Sequence, residues 1–275
     1  MMEPFQLIQD EIVLISEWKK LYPHLTAGFT TKNGGYSKEP FESFNLGLHV
    51  NDLDEHVHQN RVKLSEIIGF STSEWVCSEQ VHESEIKRVS TREVGKGVFT
   101  YRDGIPLTDG IYTDDPSILL TSCYADCVPL FFFAPGKKLI GLAHAGWRGT
   151  VQCIAIKMVE RWNQVEGVSP KDILVSIGPS IRDCCYIVDD HVIQEVKRIL
   201  DSSSEKKPFK EVSLGQYSLN LPLLNKQLLR NAGIEEEHIL SSSFCTSCEE
   251  KLFFSHRRDQ GSTGRMMSFI GYKED

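Results

Sequence analysis

Three short apolar runs lie close together in the middle of the chain and restrict its fold more than any other feature. They cover residues 118–122, 128–133 and 139–144. Each run is rich in β-branched or aromatic side chains and is bounded by Pro, Gly or Asp, which is typical of strands. The segments between them are too short for the crossover helices that parallel strands need. The spacing therefore favours an antiparallel meander over a doubly wound parallel sheet.

Four further segments have the apolar spacing of amphipathic helices, and another short run, residues 173–177, is a fourth predicted strand. The predicted helices cover residues 57–68, 151–165, 191–200 and 221–232. Gly69 and Gly167 follow the first two, as expected of residues that end helices, and Thr150 is the predicted N-cap of the second. Helices with one apolar face need a sheet to cover it, so these elements predict a mixed α+β layered fold.

The length of the chain permits a complete core. It has 275 residues, of which 40% are hydrophobic and 25% are charged, so a core can form without disulfides or a partner. No Pro/Gly/Ser-rich linker separates two independently patterned halves, and we predict a single catalytic domain over residues 1–275. The polar segment 202–207 is predicted to be a mobile loop.

The charge balance and the N-terminus restrict the partners and the location of the protein. The net charge of −8 repels the phosphate backbone that dominates nucleic-acid affinity, which makes a nucleic-acid ligand unexpected. A small anionic substrate stays compatible, because a few arginines can reverse the potential of one cleft. The first twenty residues do not have the pattern of a signal peptide, and no apolar run reaches the length of a membrane span. We predict a cytoplasmic protein, monomeric or homodimeric.

Eight cysteines in a chain without an export pattern indicate reduced thiols rather than disulfides. Cys184 and Cys185 are adjacent, and neighbouring side chains are not expected to converge on one bridge or one metal. Cys245 and Cys248 form a Cys-x-x-Cys pair, which is compatible with a redox pair or half of a structural zinc site. No second such pair completes a zinc site, so packing is the favoured interpretation.

His82, Cys127 and His144 are the candidate ligands of a metal ion. Imidazole and thiolate groups are ligands that zinc and copper bind. His144 ends a predicted strand and is soon followed by a predicted helix, a kind of junction where active-site residues concentrate. Two neutral imidazoles and one thiolate give a divalent ion and its ligands a net charge of about +1 and leave a fourth coordination position open, as in catalytic sites. Spacing alone does not show that the three side chains meet, and a hydrogen-bonded histidine is the common alternative.

The chain resembles the YlmD/YfiH family in many ordered sequence blocks. Three of these blocks contain the candidate ligands: Gln80-Val81-His82, Ala125-Asp126-Cys127-Val128-Pro129 and His144-Ala145-Gly146-Trp147-Arg148-Gly149. Further agreement comes from Gly34-Gly35-Tyr36-Ser37, Phe44-Asn45-Leu46-Gly47-Leu48, Asn60-Arg61, Gly178-Pro179-Ser180-Ile181, Cys185-Tyr186 and Phe254-Ser255-His256-Arg257-Arg258-Asp259. The resemblance covers almost the whole chain, and so many blocks in the same order would rarely recur by chance.

The resemblance implies a fold, a metal and an activity. The family fold is a four-layer α/β/β/α sandwich with mixed sheets, and its metal ligands correspond to His82, Cys127 and His144. The family carries the name multicopper polyphenol oxidoreductase or laccase, but the activity that the resemblance favours is zinc-associated purine nucleoside phosphorolysis. The substrates would be adenosine, inosine, guanosine and methylthioadenosine, converted with phosphate to free base and ribose 1-phosphate. Adenosine deamination would occur in the same site.

Several polar residues are candidates for binding and catalysis. A guanidinium group binds oxyanions in a bidentate way, so Arg61, Arg148 and Arg258 are candidate phosphate ligands. Surface or structural pairing is the alternative for each of them. Asp126 is a candidate for proton transfer in deamination, in which a metal ion activates water.

Asn45 and Gln80 are candidates for hydrogen bonds to the sugar or the base, although turn and capping roles are as common for such side chains. Two positions depart from the family pattern. Ile187 stands where relatives commonly have Glu, and His256 stands where an aromatic residue is common. A role of that glutamate cannot be transferred to this chain.

Three other functional classes compete with this interpretation. Cys127 could act as the nucleophile of a thiol hydrolase with His144 or His82 as the base. A copper-dependent phenol oxidase would need several further histidine-rich copper sites, whereas the nine histidines include a single His-x-His pair, at His56 and His58. A metal-storage or scaffold protein is the non-enzymatic alternative, because metal ligation does not prove turnover. Metal analysis and a nucleoside assay separate these classes.

Overall fold

A computed structural model describes residues 3–200 and 206–273. Most of the polar segment 202–207 lies outside these residues. The strands are β1 (Phe5–Gln9), β2 (Ile12–Ile15), β3 (Leu25–Thr30), β4 (Trp75–Cys77), β5 (Ile86–Arg88), β6 (Gly110–Thr113), β7 (Leu119–Tyr124), β8 (Val128–Ala134), β9 (Leu139–Ala145), β10 (Leu174–Ile177), β11 (Ile187–Asp189), β12 (Phe209–Ser213), β13 (Gln216–Leu219), β14 (Ile239–Ser241) and β15 (Met266–Tyr272). The α-helices are α1 (Ser16–Leu21), α2 (Asp54–Ile68), α3 (Trp147–Val151), α4 (Ile154–Glu166), α5 (Asp190–Ile199) and α6 (Leu221–Asn231).

Two six-stranded sheets form the centre of the molecule. The first sheet has the strand order β1-β2-β3-β15-β7-β4, and the second has the order β14-β10-β8-β9-β6-β5. Both are mixed: in the first, β4 pairs with β7 in parallel whereas β15 pairs antiparallel with both β3 and β7, and in the second, β10 pairs in parallel with β14 but antiparallel with β8. A small third sheet has the order β11-β13-β12.

The predicted meander is half right. Strands β8 and β9 form an antiparallel hairpin with Val128 opposite Ala145 and Ala134 opposite Leu139. Strand β7, however, belongs to the other sheet, where its partners are β15 and β4. The turn between β7 and β8 therefore crosses from one sheet to the other, and the expectation of three consecutive paired strands is wrong for β7.

Strand β8 contributes to the core on both sides of its sheet, because successive side chains of a strand point to opposite faces. Val128, Leu130 and Phe132 pack in an apolar cluster with helices α4, α5 and α6. Phe131 and Phe133 point the other way, into the cluster between the two large sheets. Strand β8 is therefore buried on both faces.

Helix α2 covers the outer face of the first sheet. Its residue Leu64 packs in a third apolar cluster with Trp75, Leu119, Met267 and Phe269 from the sheet strands. With α4, α5 and α6 on the far side of the second sheet, the layers are helix, sheet, sheet and helix. The four-layer α/β/β/α fold is therefore confirmed. Among the described residues, no helix has the length and apolar character needed to cross a bilayer.

The predicted helix ends are correct in part. Gly69 ends α2 and Gly167 ends α4, both in the left-handed conformation. Thr150 is not an N-cap, because the predicted second helix is split into α3 and α4 at Cys153, which has a φ of 62°. Thr150 lies within α3, and its hydroxyl accepts a hydrogen bond from Asn225 Nδ2 at 3.0 Å. The sequence pattern did not reveal this break.

Candidate metal centre

A cavity of about 360 Å³ lies where the ends of β7, β8 and β9 meet. Its walls contain the three predicted ligands together with cationic and aromatic side chains. The lining residues are His49, Gln80, His82, Cys123, Tyr124, Ala125, Asp126, Cys127, His144, Gly146, Trp147, Arg148, Ile181, Tyr186, Leu221, His256, Arg257 and Arg265. His82, Cys127 and His144 offer ligand atoms within 4.8 Å of one another.

Each predicted ligand reaches the cavity from a different element. His144 lies at the end of β9, Cys127 lies in the turn that joins the two sheets, and His82 lies in the loop between β4 and β5. His82 and Asp126 have positive φ angles of 63° and 85°, a conformation in which His and Asp are enriched among non-glycine residues. Gly146 leaves room beside the sulfur, because a Cβ there would lie 3.0 Å from Cys127 Sγ.

Asp109 orients two of the three ligands, a role that sequence reasoning missed. His144 Nδ1 and a carboxylate oxygen of Asp109 are 2.7 Å apart. The same carboxylate accepts backbone N–H bonds from Val81, His82 and Glu83 at 3.1, 3.0 and 2.9 Å. With Nδ1–H donating to Asp109, Nε2 of His144 is the atom that faces an ion, an arrangement that commonly orients metal-binding histidines.

The Cys127 sulfur and the His144 imidazole stabilise each other's charged forms. Burial raises the pKa of Cys127, but the charge of His144 and hydrogen bonds from both imidazoles outweigh it, so the pKa is lowered. Burial lowers the pKa of His144, but the Cys127 thiolate and the Asp109 carboxylate outweigh it and raise the pKa. A thiolate is the form of cysteine that binds metals, and the site therefore favours the required form of Cys127.

These residues fit a zinc or copper ion. A tetrahedral ion with ligands at about 2.0–2.3 Å holds its ligand atoms roughly 3.3–3.8 Å apart, and the 4.8 Å limit on the three donor atoms lies within a small side-chain adjustment of that spacing. The imidazole rings of His82 and His144 are 4.8 Å apart at 81°, so they do not stack. The donor set has three protein ligands, as catalytic zinc sites do.

Three arginine side chains reach the cavity: Arg148, Arg257 and Arg265. Of these, only Arg148 was predicted from the sequence. Arg265 is largely enclosed, and desolvation lowers its pKa. Desolvation and the charge of Arg265 also lower the pKa of His49 to about 4, so this imidazole is neutral at pH 7. The arginines, and not His49, therefore bring positive charge to this part of the cavity.

Asn45, Arg61 and Arg258 are not among the residues that line this cavity. Arg61 donates to the carbonyl oxygens of Leu46, Gly97 and Val98. Arg258 pairs with the Asp259 carboxylate at 2.7 Å and also donates to backbone carbonyl groups. Their guanidinium groups stabilise loops, and the geometry does not support the predicted phosphate role for either arginine.

Asn45 does not line the cavity but holds the backbone of Arg265, which does. Its amide oxygen accepts the backbone N–H of Arg265 at 2.8 Å, and its amide nitrogen donates to Asp52 at 2.8 Å. The side chain is fully buried, so it positions the segment that carries Arg265 and does not face a ligand itself.

Gln80 and Asp126 line the cavity but already have hydrogen-bond partners. The Gln80 amide donates to the carbonyl of Cys123 at 2.9 Å and accepts from the N–H of the same residue at 2.7 Å. One carboxylate oxygen of Asp126 accepts from Thr246 Oγ1 and the other from the backbone N–H of Arg257, both at 2.7 Å. These bonds join separate loops around the cavity.

Tyr186 and Arg257 form one wall of the cavity. The Arg257 guanidinium lies 5.0 Å from the Tyr186 ring centroid and donates to the carbonyl of Ile187 at 2.7 Å. His256, one of the two positions that depart from the family pattern, also lines the cavity. Arg257 belongs to the sequence block in which only Arg258 was singled out, because two adjacent arginines cannot be ranked without the structure.

A four-layer fold with a candidate His/Cys/His metal site at the junction of its sheets defines a class of α/β/β/α proteins. Comparisons with known proteins then identify the family. Residues 26–273 match the family described as multi-copper polyphenol oxidoreductase laccase, and the chain belongs to this YlmD/YfiH family.

Individual relatives agree over nearly their full length. The chain is 46% identical over 274 residues to "Purine nucleoside phosphorylase YlmD" of Bacillus subtilis, and the alignment covers 98% of each chain. It is 50% identical over 249 residues to the protein of the same name from Geobacillus stearothermophilus, and this alignment covers 90% of each chain. The crystal structure of YlmD from Geobacillus stearothermophilus superposes with a TM-score of 0.96 at 46% identity, covering 99% of this chain and 100% of the other. The crystal structure of Bacillus licheniformis hypothetical protein YfiH has a TM-score of 0.95 at 49% identity, with the same coverage.

Proposed function

We propose that the protein is a zinc-associated purine nucleoside phosphorylase that converts adenosine, inosine, guanosine and methylthioadenosine to free base and ribose 1-phosphate, and that it deaminates adenosine in the same cavity. One observation carries the proposal. The cavity that brings His82, Cys127 and His144 together also contains three arginines, in a chain that is 46% and 50% identical to proteins named purine nucleoside phosphorylase. A candidate metal centre and a candidate anion site thus share one pocket.

The arginines are the proposed phosphate ligands. Phosphorolysis needs an oxyanion beside the sugar carbon, and guanidinium groups hold phosphate through paired hydrogen bonds. Arg148, Arg257 and Arg265 replace the set predicted from the sequence, of which only Arg148 reaches the cavity. Backbone bonds to Asp126 and Asn45 fix the segments of Arg257 and Arg265. These two arginines therefore approach a ligand from positions that are already ordered.

The aromatic side chains are the proposed site for the purine. Trp147 and Tyr186 line the cavity with Leu221, and such walls bind planar rings while excluding water. Exclusion of water matters because the glycosidic bond breaks through an oxocarbenium-like sugar, which water would otherwise trap. Phosphate held by the arginines would then be the nearest nucleophile to that sugar.

His82, Cys127 and His144 would hold the ion, with Asp109 orienting His144. When bound, zinc would supply Lewis acidity and an activated water for deamination. The residues themselves supply order: Asp109 fixes the imidazole of His144 and the backbone of His82. Both carboxylate oxygens of Asp126 already accept hydrogen bonds, which supports a positioning role for Asp126 rather than the proton transfer expected from the sequence.

The decisive experiment separates products of adenosine by chromatography, with and without phosphate, using protein of measured metal content. Adenine with ribose 1-phosphate only when phosphate is present, and inosine in either case, is the expected result. Cys127→Ala should lose the metal of the His/Cys/His centre and both activities, whereas Arg88→Ala, at a surface ion pair with Asp114 and Glu166, should keep them. Phosphorolysis that persists in Cys127→Ala without an ion at this centre would remove the ion from the proposal.

One observation favours a second candidate, a thiol hydrolase. Cys127, His144 and Asp109 are arranged like a nucleophile, a base and an orienting acid, and the pKa of Cys127 is lowered. In this scheme His82 has no required role. Hydrolytic activity that survives removal of metal and the substitution His82→Asn, but is lost after alkylation of Cys127, would favour the hydrolase and contradict the metal centre.

The same elemental analysis distinguishes zinc from copper. A copper-dependent phenol oxidase would need additional histidine-rich sites for electron relay. Within residues 3–200 and 206–273, two groups of three or more candidate ligand side chains lie close together, and the second group contains only cysteines. Neither group provides the additional histidine-rich copper sites of a phenol oxidase, so these two groups of ligands favour zinc over that alternative. Cytoplasmic location and a monomeric or homodimeric state remain predictions.

A further inference from the structure

Four cysteines meet at a second place in the molecule. Cys184, Cys185, Cys245 and Cys248 offer sulfur atoms that all lie within 4.8 Å of one another, and none of the four lines the cavity. We call them the four-cysteine cluster. Adjacent cysteines were not expected to converge on one bridge or one metal. The sulfur atoms of Cys184 and Cys185 nevertheless lie beside those of the Cys-x-x-Cys pair, because the segment after β10 folds back beside the turn of that pair.

The spacing of the sulfur atoms fits a metal site better than a disulfide. Cys248 Sγ lies 3.3 Å from Cys185 Sγ and 3.6 Å from Cys184 Sγ. A disulfide requires about 2.05 Å. A tetrahedral zinc ion with Zn–S bonds of about 2.3 Å places its sulfur ligands roughly 3.8 Å apart. The sulfur–sulfur distances of the cluster are close to the edges of that tetrahedron.

The backbone around Cys245 is arranged for a thiolate. The N–H of Cys248 donates to the carbonyl of Cys245 at 3.1 Å, which closes a tight turn. Backbone N–H groups of Arg182, Ser247 and Cys248 also donate to the sulfur of Cys245. N–H donors aimed at a sulfur stabilise its anionic form, which is the form that binds a metal.

The four sulfur atoms lie close enough together for their charges to interact strongly when the thiols lose their protons. Several neighbouring thiols cannot all lose their protons unless a cation compensates the charge of the resulting thiolates. A divalent ion would take the place of the thiol protons, which are released on binding.

We propose that the four-cysteine cluster is a closed, structural zinc site, separate from the His/Cys/His centre. Four thiolates complete the tetrahedral shell and leave no position for substrate, as in other structural zinc sites built from cysteines alone. Zinc replaces the thiol protons without any change of oxidation state, so no oxidant or reductant is needed.

The site would fasten two segments that form a wall of the cavity. Cys185 precedes Tyr186, whose ring contacts Arg257. On the other segment, Thr246 donates to Asp126 at 2.7 Å and its carbonyl accepts from Arg258 at 3.0 Å. The two segments also meet at an isolated β-bridge between Ser180 and Cys245. An ion bound by all four sulfur atoms would hold this junction together.

Metal stoichiometry tests the proposal independently of any activity. Protein purified from zinc-supplemented cells, or refolded with zinc, should carry two equivalents by elemental analysis. The double variant Cys184→Ser/Cys248→Ser should carry one, Cys127→Ala should carry one, and the control Cys153→Ser, which removes a thiol outside both groups, should carry two. An unchanged zinc content in the double variant would overturn the proposal and leave the His/Cys/His centre unaffected.

X-ray absorption on the wild-type protein gives a second test that does not require the variant to fold. One His/Cys/His site and one four-cysteine site together give about 2.5 sulfur ligands per zinc at roughly 2.3 Å, whereas the first site alone gives about one. A value near one would contradict the second site. A Cys184–Cys248 or Cys185–Cys248 disulfide in freshly isolated protein, found by mass spectrometry after alkylation, would also contradict it.

Discussion

A single methyl group added at Gly146 tests whether His82, Cys127 and His144 act as one metal centre. Gly146 has φ −65° and ψ 175°, which alanine adopts without strain, so Gly146→Ala changes only the available space. The new Cβ would lie 3.0 Å from Cys127 Sγ, against 3.4 Å for the closest ordinary contact. The sulfur must therefore retreat by about 0.4 Å, roughly twice the tolerance of a metal–ligand distance.

The expected effect is on metal affinity more than on folding. Overpacking a filled site costs about 1–3 kcal/mol, and each 1.4 kcal/mol or so is a factor of ten in affinity. We therefore expect zinc affinity to fall by about 5- to 150-fold. Without metal, Cys127 is free to rotate away from the methyl group, so the melting temperature of the metal-free protein should change less. Competition with a chromophoric chelator at constant pH measures the affinity.

Gly136→Ala is the matched control, because a Cβ at Gly136 has no heavy atom within 4 Å. It should leave zinc affinity and activity unchanged. If folded Gly146→Ala binds zinc within twofold of the wild type, the sulfur of Cys127 is not held where the structure has it, and the reasoning fails. An equal loss of affinity in Gly136→Ala would show that the assay responds to something other than space beside the sulfur.

Three further substitutions test the surroundings of the site and the core. Asp109→Asn removes the carboxylate that orients His144, and we expect zinc affinity to fall by about 10- to 100-fold in the same competition assay; an unchanged affinity would contradict this role. Phe132→Ala should lower the free energy of unfolding by about 3–5 kcal/mol in guanidinium titrations, because the ring is fully buried; a loss below about 1 kcal/mol would show a looser core. Burial raises the pKa of Asp259, but the hydrogen bond from Arg258 helps to lower it below the ordinary value. The folded pKa thus lies below the unfolded one, so this carboxylate stabilises the protein above about pH 4 and loses the effect as the pH falls further. Asp259→Asn should therefore be less stable than the wild type at about pH 7 and converge with it near about pH 2, and a difference that does not vary with pH would refute this assignment.

Elements whose causes are local could be predicted from the sequence. Helix α2 ends at Gly69 and strands β8 and β9 pair as a hairpin, because a glycine stop and a short turn act on neighbouring residues. The sheet of β7 was not predictable in this way. Its partner β15 lies far from it in the sequence, near the last described residues. A short turn after a strand is also compatible either with pairing in the same sheet or with crossing to another sheet.

The residues of the candidate site were also predictable only in part. His82, Cys127 and His144 could be singled out because the family blocks contain them, and the structure brings their side chains together. Asp109 was not identifiable, since an acidic residue before a short strand resembles any turn residue until its partners are known. The arginines show the reverse error: Arg61 has the right chemistry for phosphate, but carbonyl oxygens of Leu46, Gly97 and Val98 already occupy its guanidinium.

The crossing of the chain between the two sheets has a consequence for when the proposed metal centre can form. Cys127 lies on that crossing, and His144 and His82 arrive from separate elements, so the three donors assemble only once both sheets have docked. An ion that binds this assembled form alone shifts the folding equilibrium by RT ln(1 + [L]/Kd), which is about 2.7 kcal/mol at a hundredfold excess over Kd. Scarcity of the metal would then lower the folded fraction of the protein as well as the activity proposed for it.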